Sequence, residues 1–213
     1  LPNNPTGWLP DRATLDALVA IAEERGAVLL ADEVYRRLEH DPSDRLPAAA
    51  ELSTRAVSLG AMAKAWGLAG LRIGWTVCRD AELNRRLCGF KVYTSICSPG
   101  PSELLAEIAA TATDEIVGRI RRLLLSHVEL VDAAIARHPD RIAWSRPRAG
   151  TVGFPRLVDG RDAEELALAL LEAQGVLLAP GRAFQADPSR LRIGFGRIDL
   201  PEALARFERF LSC

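Results

Sequence analysis

Five side chains stand where they could do chemistry: a carboxylate, a phenol, an amine and two guanidinium groups. Asp32 follows directly on the apolar run Ala27-Val28-Leu29-Leu30-Ala31, and Tyr35 lies three residues further on. In an open parallel sheet ligands bind beyond the carboxyl ends of the strands, so a carboxylate there is placed for a site. The same residue type also caps the first turn of helices. Lys64 comes a few residues after a second apolar run, Ala56-Val57-Ser58-Leu59, within the small, apolar stretch Gly60-Ala61-Met62-Ala63-Lys64-Ala65-Trp66-Gly67-Leu68. Burial there would disfavour the ammonium form, and a neutral amine is what attack on an aldehyde requires. A lysine with its stem on apolar surface and its head in water fits the stretch equally. Arg72, eight residues on, opens a third run, Arg72-Ile73-Gly74-Trp75-Thr76-Val77. Its fork of donors could hold a phosphate, or it could be a surface charge at a strand end. Arg192 interrupts the apolar run Leu191-Arg192-Ile193-Gly194-Phe195, which either a carboxylate clamp or an ion pair would explain.

Composition narrows the setting. Lys64 and Lys91 are the only lysines among 27 basic residues, a mild pointer to amine chemistry. Lys91 itself reads as an exposed cation at a helix end. Cys78, Cys88, Cys97 and Cys213 form no CxxC pair and no histidine cluster joins them, so no metal site is indicated. They read as small core hydrophobes in a reducing, cytoplasmic compartment. With 28 acidic residues the net charge is −1, which leaves no basic footprint for nucleic acid or an anionic membrane surface. No apolar run approaches the roughly 18–20 residues that span a bilayer.

Elements must position these side chains. A helix is expected after Asp11, with Leu15, Leu18, Val19 and Ala22 on one face and Gly26 at its end. The run 27–31 reads as a strand buried on both faces, and 56–59 and 72–77 as two more. Strand–helix alternation on this scale argues for an α/β domain with a mainly parallel sheet. Further on, a helix runs from Ser102 towards Ala110 and a longer one over 114–138. Along the latter Ile116, Ile120, Leu123, Leu124, His127, Val131 and Ile135 recur at helical spacing, His127 as a packing residue, until Pro139 stops it. Short strands at 142–144, 152–154, 176–178 and 191–195 frame a helix over 162–173. A last helix from Pro201 buries Leu204, Phe207 and Leu211. The organisation expected is part of a large domain over 1–100, connecting helices over 101–138 and a smaller α+β domain over 139–213.

Asn4-Pro5-Thr6-Gly7, Asp32-Glu33-Val34-Tyr35, Lys64 with Gly70-Leu71-Arg72-Ile73-Gly74, Pro180-Gly181-x-x-Phe184 and Arg192-Ile193 follow one another in order along the chain. With them the chain resembles the class I/II aminotransferases, pyridoxal-phosphate enzymes of the aspartate aminotransferase fold (fold type I). The resemblance implies transfer of an amino group between an amino acid and a 2-oxo acid, and a homodimer in the full-length form. Lys64 would form the Schiff base with the cofactor aldehyde and then shuttle a proton. Asp32 would pair with the pyridinium nitrogen, Asn4 and Tyr35 would hydrogen-bond the ring's 3-hydroxyl oxygen, Arg72 would bind the phosphate, and Arg192 the substrate α-carboxylate. Ala61 and Ala63 depart from the pattern, since the family often has serine there; each lost neutral hydrogen bond costs about 1 kcal/mol.

The resemblance also implies a C-terminal part of a longer enzyme, because the family carries a substantial segment before Asn-Pro-Thr-Gly. Such a fragment is expected to bind cofactor poorly. Two other outcomes are open. One is a pyridoxal-phosphate lyase or cyclase, since the stretches 91–97 and 150–155 look closest to capreomycidine-synthase-like cyclases. The other is a non-catalytic, aminotransferase-like effector domain of a transcription regulator.

Overall fold

The computed structural model describes residues 1–212; Cys213, one of the cysteines expected in a core, lies outside them. The fold is α/β. The chain divides into two compact units, one made of Leu1–Pro2 and Leu9–Ile120, the other of Asn3–Trp8 and the chain from Arg121 onward.

In the first unit α1 (Arg12–Glu24) starts where Asp11 accepts a hydrogen bond from the Thr14 N–H at 2.7 Å. Leu15, Val19 and Ala22 are buried, but Leu18, expected on the same face, is 42% exposed. At 3.6 residues per turn Leu18 sits about 60° from Leu15, at the rim of the stripe. Strands β1 (Leu29–Asp32), β2 (Ala56–Ala61) and β3 (Gly74–Cys78) form one sheet in that order. β1 and β2 run parallel, with Leu30 opposite Val57 and Asp32 opposite Leu59. β3 runs antiparallel to β2, Ala61 opposite Gly74, so the sheet is mixed where a mainly parallel one was expected. The reason is local. The Met62 N–H donates to the Ile73 carbonyl at 3.1 Å, so the connection folds back beside β2, whereas a parallel partner needs a crossover passing over a sheet face.

The run 27–31 is not buried on both faces. Ala31 packs with Ala49 and Ala56 under the short helix α2 (Ala49–Leu52), while Leu30, on the opposite face, is 65% exposed. Helix α3 (Ala81–Ser95) buries no residue. It carries Cys88, which is exposed, as is Cys97; Cys78 is half-buried. The expectation of core cysteines therefore fails for the described ones: β3 is exposed along all but Cys78, α3 buries no residue, and Cys97 lies just after α3 outside any helix or strand. Helix α4 (Gly100–Thr111) buries Ala106 and Ala109. Helix α5 (Thr113–Arg137) belongs to the first unit up to Ile120 and to the second from Arg121.

In the second unit Leu124, Val128, Val131 and Ile135 of α5 are buried together with His127. The His127 Nδ1 lies 2.8 Å from the Phe195 carbonyl oxygen. A carbonyl only accepts, so that nitrogen carries the proton, and the packing role includes one satisfied hydrogen bond. Strands β4 (Ile142–Ala143) and β6 (Arg156–Leu157) pair antiparallel. β5 (Val152–Gly153), β7 (Ala179–Pro180) and β8 (Leu191–Gly194) form a three-stranded sheet with β8 in the centre. The strand expected at 176–178 is thus displaced to Ala179–Pro180, where it meets Arg192 and Leu191. Helix α6 (Ala163–Gln174) is capped by Asp162 and ends at Gly175, whose φ of +66° suits glycine. Helix α7 (Leu200–Leu211) buries Leu204, Phe207 and Leu211, as the sequence pattern requires. Among the described residues no helix is long and apolar enough to cross a membrane.

The two leucines of α1 separate burial from pattern. In urea denaturation Leu15→Ala is expected to cost about 2–5 kcal/mol, and Leu18→Ala about 0.5 kcal/mol.

Candidate active site

Because β1 and β2 are parallel, their carboxyl ends lie side by side. Asp32 is the last residue of β1, and Lys64 follows the last residue of β2, Ala61, by three positions. β3 enters from the opposite direction beside Ala61, so Arg72, two residues before it, arrives at the same end of β2. The carboxyl end of this strand pair therefore gathers a carboxylate, an amine and a guanidinium, at the place where open sheets bind ligands.

Asp32 is exposed, and its Oδ1 accepts from the Val34 N–H at 3.1 Å. It closes a turn and caps no helix. Lys64 is exposed, with its Nζ 5.5 Å from the centroid of the Tyr35 ring, and Tyr35 is buried. The desolvation expected of Lys64 is not what the fold provides. Its neighbours Met62 and Ala65 turn into the core, Ala63 is half-buried, and Lys64 faces out. Gly67, at φ +68°, closes that turn by donating to the Lys64 carbonyl at 3.0 Å.

Arg72 does not open a strand. It ends a short 3-10 turn (Ala69–Leu71) in the left-handed conformation, φ +57°, a region few non-glycine residues enter. Its Nη1 donates to the Ala69 carbonyl at 3.1 Å. Arg12, Arg85, Arg137 and Arg197 each pair with a carboxylate. Among the described residues neither Arg72, Lys64 nor Asp32 has an ion-pair partner, so no internal counter-charge occupies any of the three.

One support of this site escaped the sequence reading. Glu33 is 5% exposed. Its Oε1 accepts from the Ala49 N–H and from the Ser58 hydroxyl, both at 2.8 Å. The Ser58 oxygen in turn accepts from the Ala50 N–H at 3.0 Å. Bonds to a charged acceptor are worth about 1.5–3 kcal/mol each, so this buried carboxylate ties the end of β1 to β2 and α2 directly beside Asp32. A Glu next to Asp32 and a Ser inside an apolar strand were the available signals; their meeting depends on the strand register.

In the second unit Asn3–Trp8 is a tight turn. The Gly7 N–H donates to the Asn3 carbonyl at 2.8 Å, and the Gly7 carbonyl accepts from the Arg148 and Ala149 N–H groups at 3.2 and 3.3 Å. Asn4, exposed, offers its Oδ1 to the Arg192 Nη1 at 3.3 Å. Arg192 is half-buried on β8, with its guanidinium 4.9 Å from the centroid of the Phe184 ring. No carboxylate pairs with it among the described residues, so the ion-pair explanation of its place in an apolar strand does not hold. The structure thus brings Asn4 together with Arg192, and Tyr35 together with Lys64.

The family model for aminotransferase class I and II matches residues 1–206. The chain belongs to that family. It is 33% identical over 215 residues to the capreomycidine synthase of Streptomyces vinaceus, covering 99% of this chain and 54% of that protein. It is 29% identical over 212 residues to an aspartate aminotransferase of Thermococcus kodakarensis, covering 100% of this chain and 55% of the other. The crystal structure of a PLP-dependent aminotransferase from Streptococcus suis 89-1591 superposes with a TM-score of 0.91 at 32% identity, over 99% of this chain and 55% of that one. The chain thus spans about half the length of the relatives it matches. Pyridoxal phosphate is the cofactor of this aminotransferase family. The donor set fits it: an unpaired amine for an aldehyde, an unpaired carboxylate for a ring nitrogen and an unpaired guanidinium for a phosphate, all at one end of β1 and β2.

Removing the guanidinium tests that fit. Arg72→Ala is expected to weaken pyridoxal-phosphate binding about 10- to 100-fold, the worth of one charge-assisted hydrogen bond, read by equilibrium dialysis against the unmodified protein.

Proposed function

We propose that the protein is a pyridoxal-phosphate-dependent aminotransferase that moves an amino group between an amino acid and a 2-oxo acid, working as a homodimer. The observation that carries this reading is Lys64, an amine without an ion-pair partner at the carboxyl end of β2, beside the strand end that bears Asp32. In this reading Lys64 holds the cofactor's aldehyde carbon, Asp32 its ring nitrogen, Arg72 its phosphate, and Asn4 and Tyr35 its ring oxygen. When bound, the group supplies an electron sink for charge developing at the substrate Cα.

The chain's own residues do the rest. A carboxylate next to the ring nitrogen favours the protonated ring, which is the work of Asp32. Lys64 would be the base that takes the proton from the substrate Cα and returns it at the cofactor's aldehyde carbon, two bonds away across the nitrogen. Arg192 clamps the substrate α-carboxylate through a charge-assisted fork. Ala61 and Ala63 offer no hydroxyl, so phosphate holding leans on Arg72.

A second reading is a cyclase or lyase on the same scaffold, favoured by the 33% identity to a capreomycidine synthase. The fate of the nitrogen separates the two. Given 15N-labelled amino acid and a 2-oxo acid, an aminotransferase delivers the label to a new amino acid, whereas a lyase releases ammonia and a cyclase keeps the label in a ring.

Borohydride reduction of the cofactor-loaded protein, followed by peptide mapping, is expected to find the pyridoxyl group on Lys64; an adduct on Lys91 would overturn the assignment. Lys64→Ala should lower turnover about 10³-fold or more while the protein keeps bound cofactor through Arg72 and Asp32.

A further inference from the structure

Arg192 is held in an unusual way for a half-buried cation. Among the described residues one of its five N–H donors, Nη1, is engaged, by Asn4, and no carboxylate pairs with it. What fixes the guanidinium instead is the Phe184 ring, 4.9 Å away at its centroid. A ring face attracts a cation through its quadrupole. It therefore orients the guanidinium without consuming N–H donors and without neutralising the charge. An ion pair would do both, and would leave less of the fork for a ligand.

The ring is itself held fast. Phe184 meets Phe154 edge-to-face, with centroids 5.8 Å apart at 83°, and Phe154 is 5% exposed. Arg190 closes the row, its guanidinium 5.5 Å from the Phe154 centroid and its Nη1 donating to the Phe154 carbonyl at 3.0 Å. The 3-10 turn carrying the ring (Gly181–Phe184) is tied to the residue just before β8, since the Gly181 N–H donates to the Arg190 carbonyl at 2.7 Å. Arg190 and Arg192, two residues apart, thus bracket an aromatic pair, Phe154 just after β5 and Phe184 in the 3-10 turn after β7.

We infer that Phe184 is a positioning residue for the substrate α-carboxylate, acting through Arg192; the inference rests on the carboxylate role of Arg192 proposed above. Phe184 touches neither substrate nor cofactor in this role. Its ring sets the plane of the guanidinium and so the direction in which the free donors point.

The test compares L-alanine with ethylamine on the cofactor-loaded protein, following the cofactor absorbance as each is titrated. The two ligands differ only in the α-carboxylate. Their affinity ratio is read on one preparation, so partial loss of folded protein cancels. The protein should prefer L-alanine, and Arg192→Leu should abolish the preference. Phe184→Leu, of similar bulk but without a ring, should lower the ratio about fivefold, with ethylamine affinity unchanged. Phe184→Tyr, which keeps the ring, should retain the ratio. An unaltered ratio in Phe184→Leu, or an equal fall in both Phe184 variants, overturns the inference and leaves Arg192 in place. No preference in the unmodified protein, or a preference that survives Arg192→Leu, overturns the carboxylate role of Arg192 and takes the inference with it.

Discussion

Asp32 and Lys64 share a neighbourhood only because β1 and β2 run parallel, with Asp32 opposite Leu59. Reversing β2 in the same place would carry Lys64 to the far end of a six-residue strand, about 20 Å away at the rise of a β-strand. The reversal that does occur, at β3, has the opposite effect. By returning antiparallel from the turn after Lys64, the chain sets Arg72 beside the residues it has just left. One parallel and one antiparallel ladder together converge three side chains that are 40 positions apart at their extremes. The Glu33–Ser58 bond then anchors the ladder at the point where convergence matters.

The chain is close to neutral, and several exposed arginines find carboxylates, some within their own helix, as Arg12 finds Asp16 and Arg206 finds Glu202, and some far along the chain, as Arg137 finds Glu208. Such pairs contribute about 0–1 kcal/mol each and carry little information. Three cations without an ion-pair partner among the described residues are held in ordered surroundings. Arg72 is held in a left-handed turn, Arg192 lies against a ring on a central strand, and Lys64 faces out of a glycine-closed turn. A guanidinium that is ordered and unneutralised is prepared for an anion, because less orientational freedom remains to be lost on binding.

Local signals were legible where the physics is local. Asp11 and Asp162 mark helix starts because a carboxylate can reach the first free N–H groups of its own chain, and the apolar spacing in α7 marks a face that the fold does bury. The chemical roster was legible as well, because amine, carboxylate and guanidinium were read from residue type and order along the chain. Reading failed where burial was inferred from neighbours. Apolar residues around Lys64 suggest a desolvated amine, yet a tight turn sends adjacent side chains in opposite directions, so Ala65 goes in and Lys64 goes out. The run 27–31 suggested two covered faces, yet cover comes from elements distant in sequence, and α2 protects only the face bearing Ala31.

By itself, then, the sequence determined α1, α4, α5, α6 and α7, the separate family motifs and the identity of the candidate groups, each carried by residues within a few positions of one another. Tertiary structure alone decided the direction of β3, the exposure of Lys64, the burial of Glu33 against Ser58, and the seating of Arg192 between Asn4 and Phe184. Each of those depends on strand register or on the meeting of segments far apart in the chain. Arg192 and Asn4 lie 188 positions apart, and no local periodicity reports whether two such residues meet.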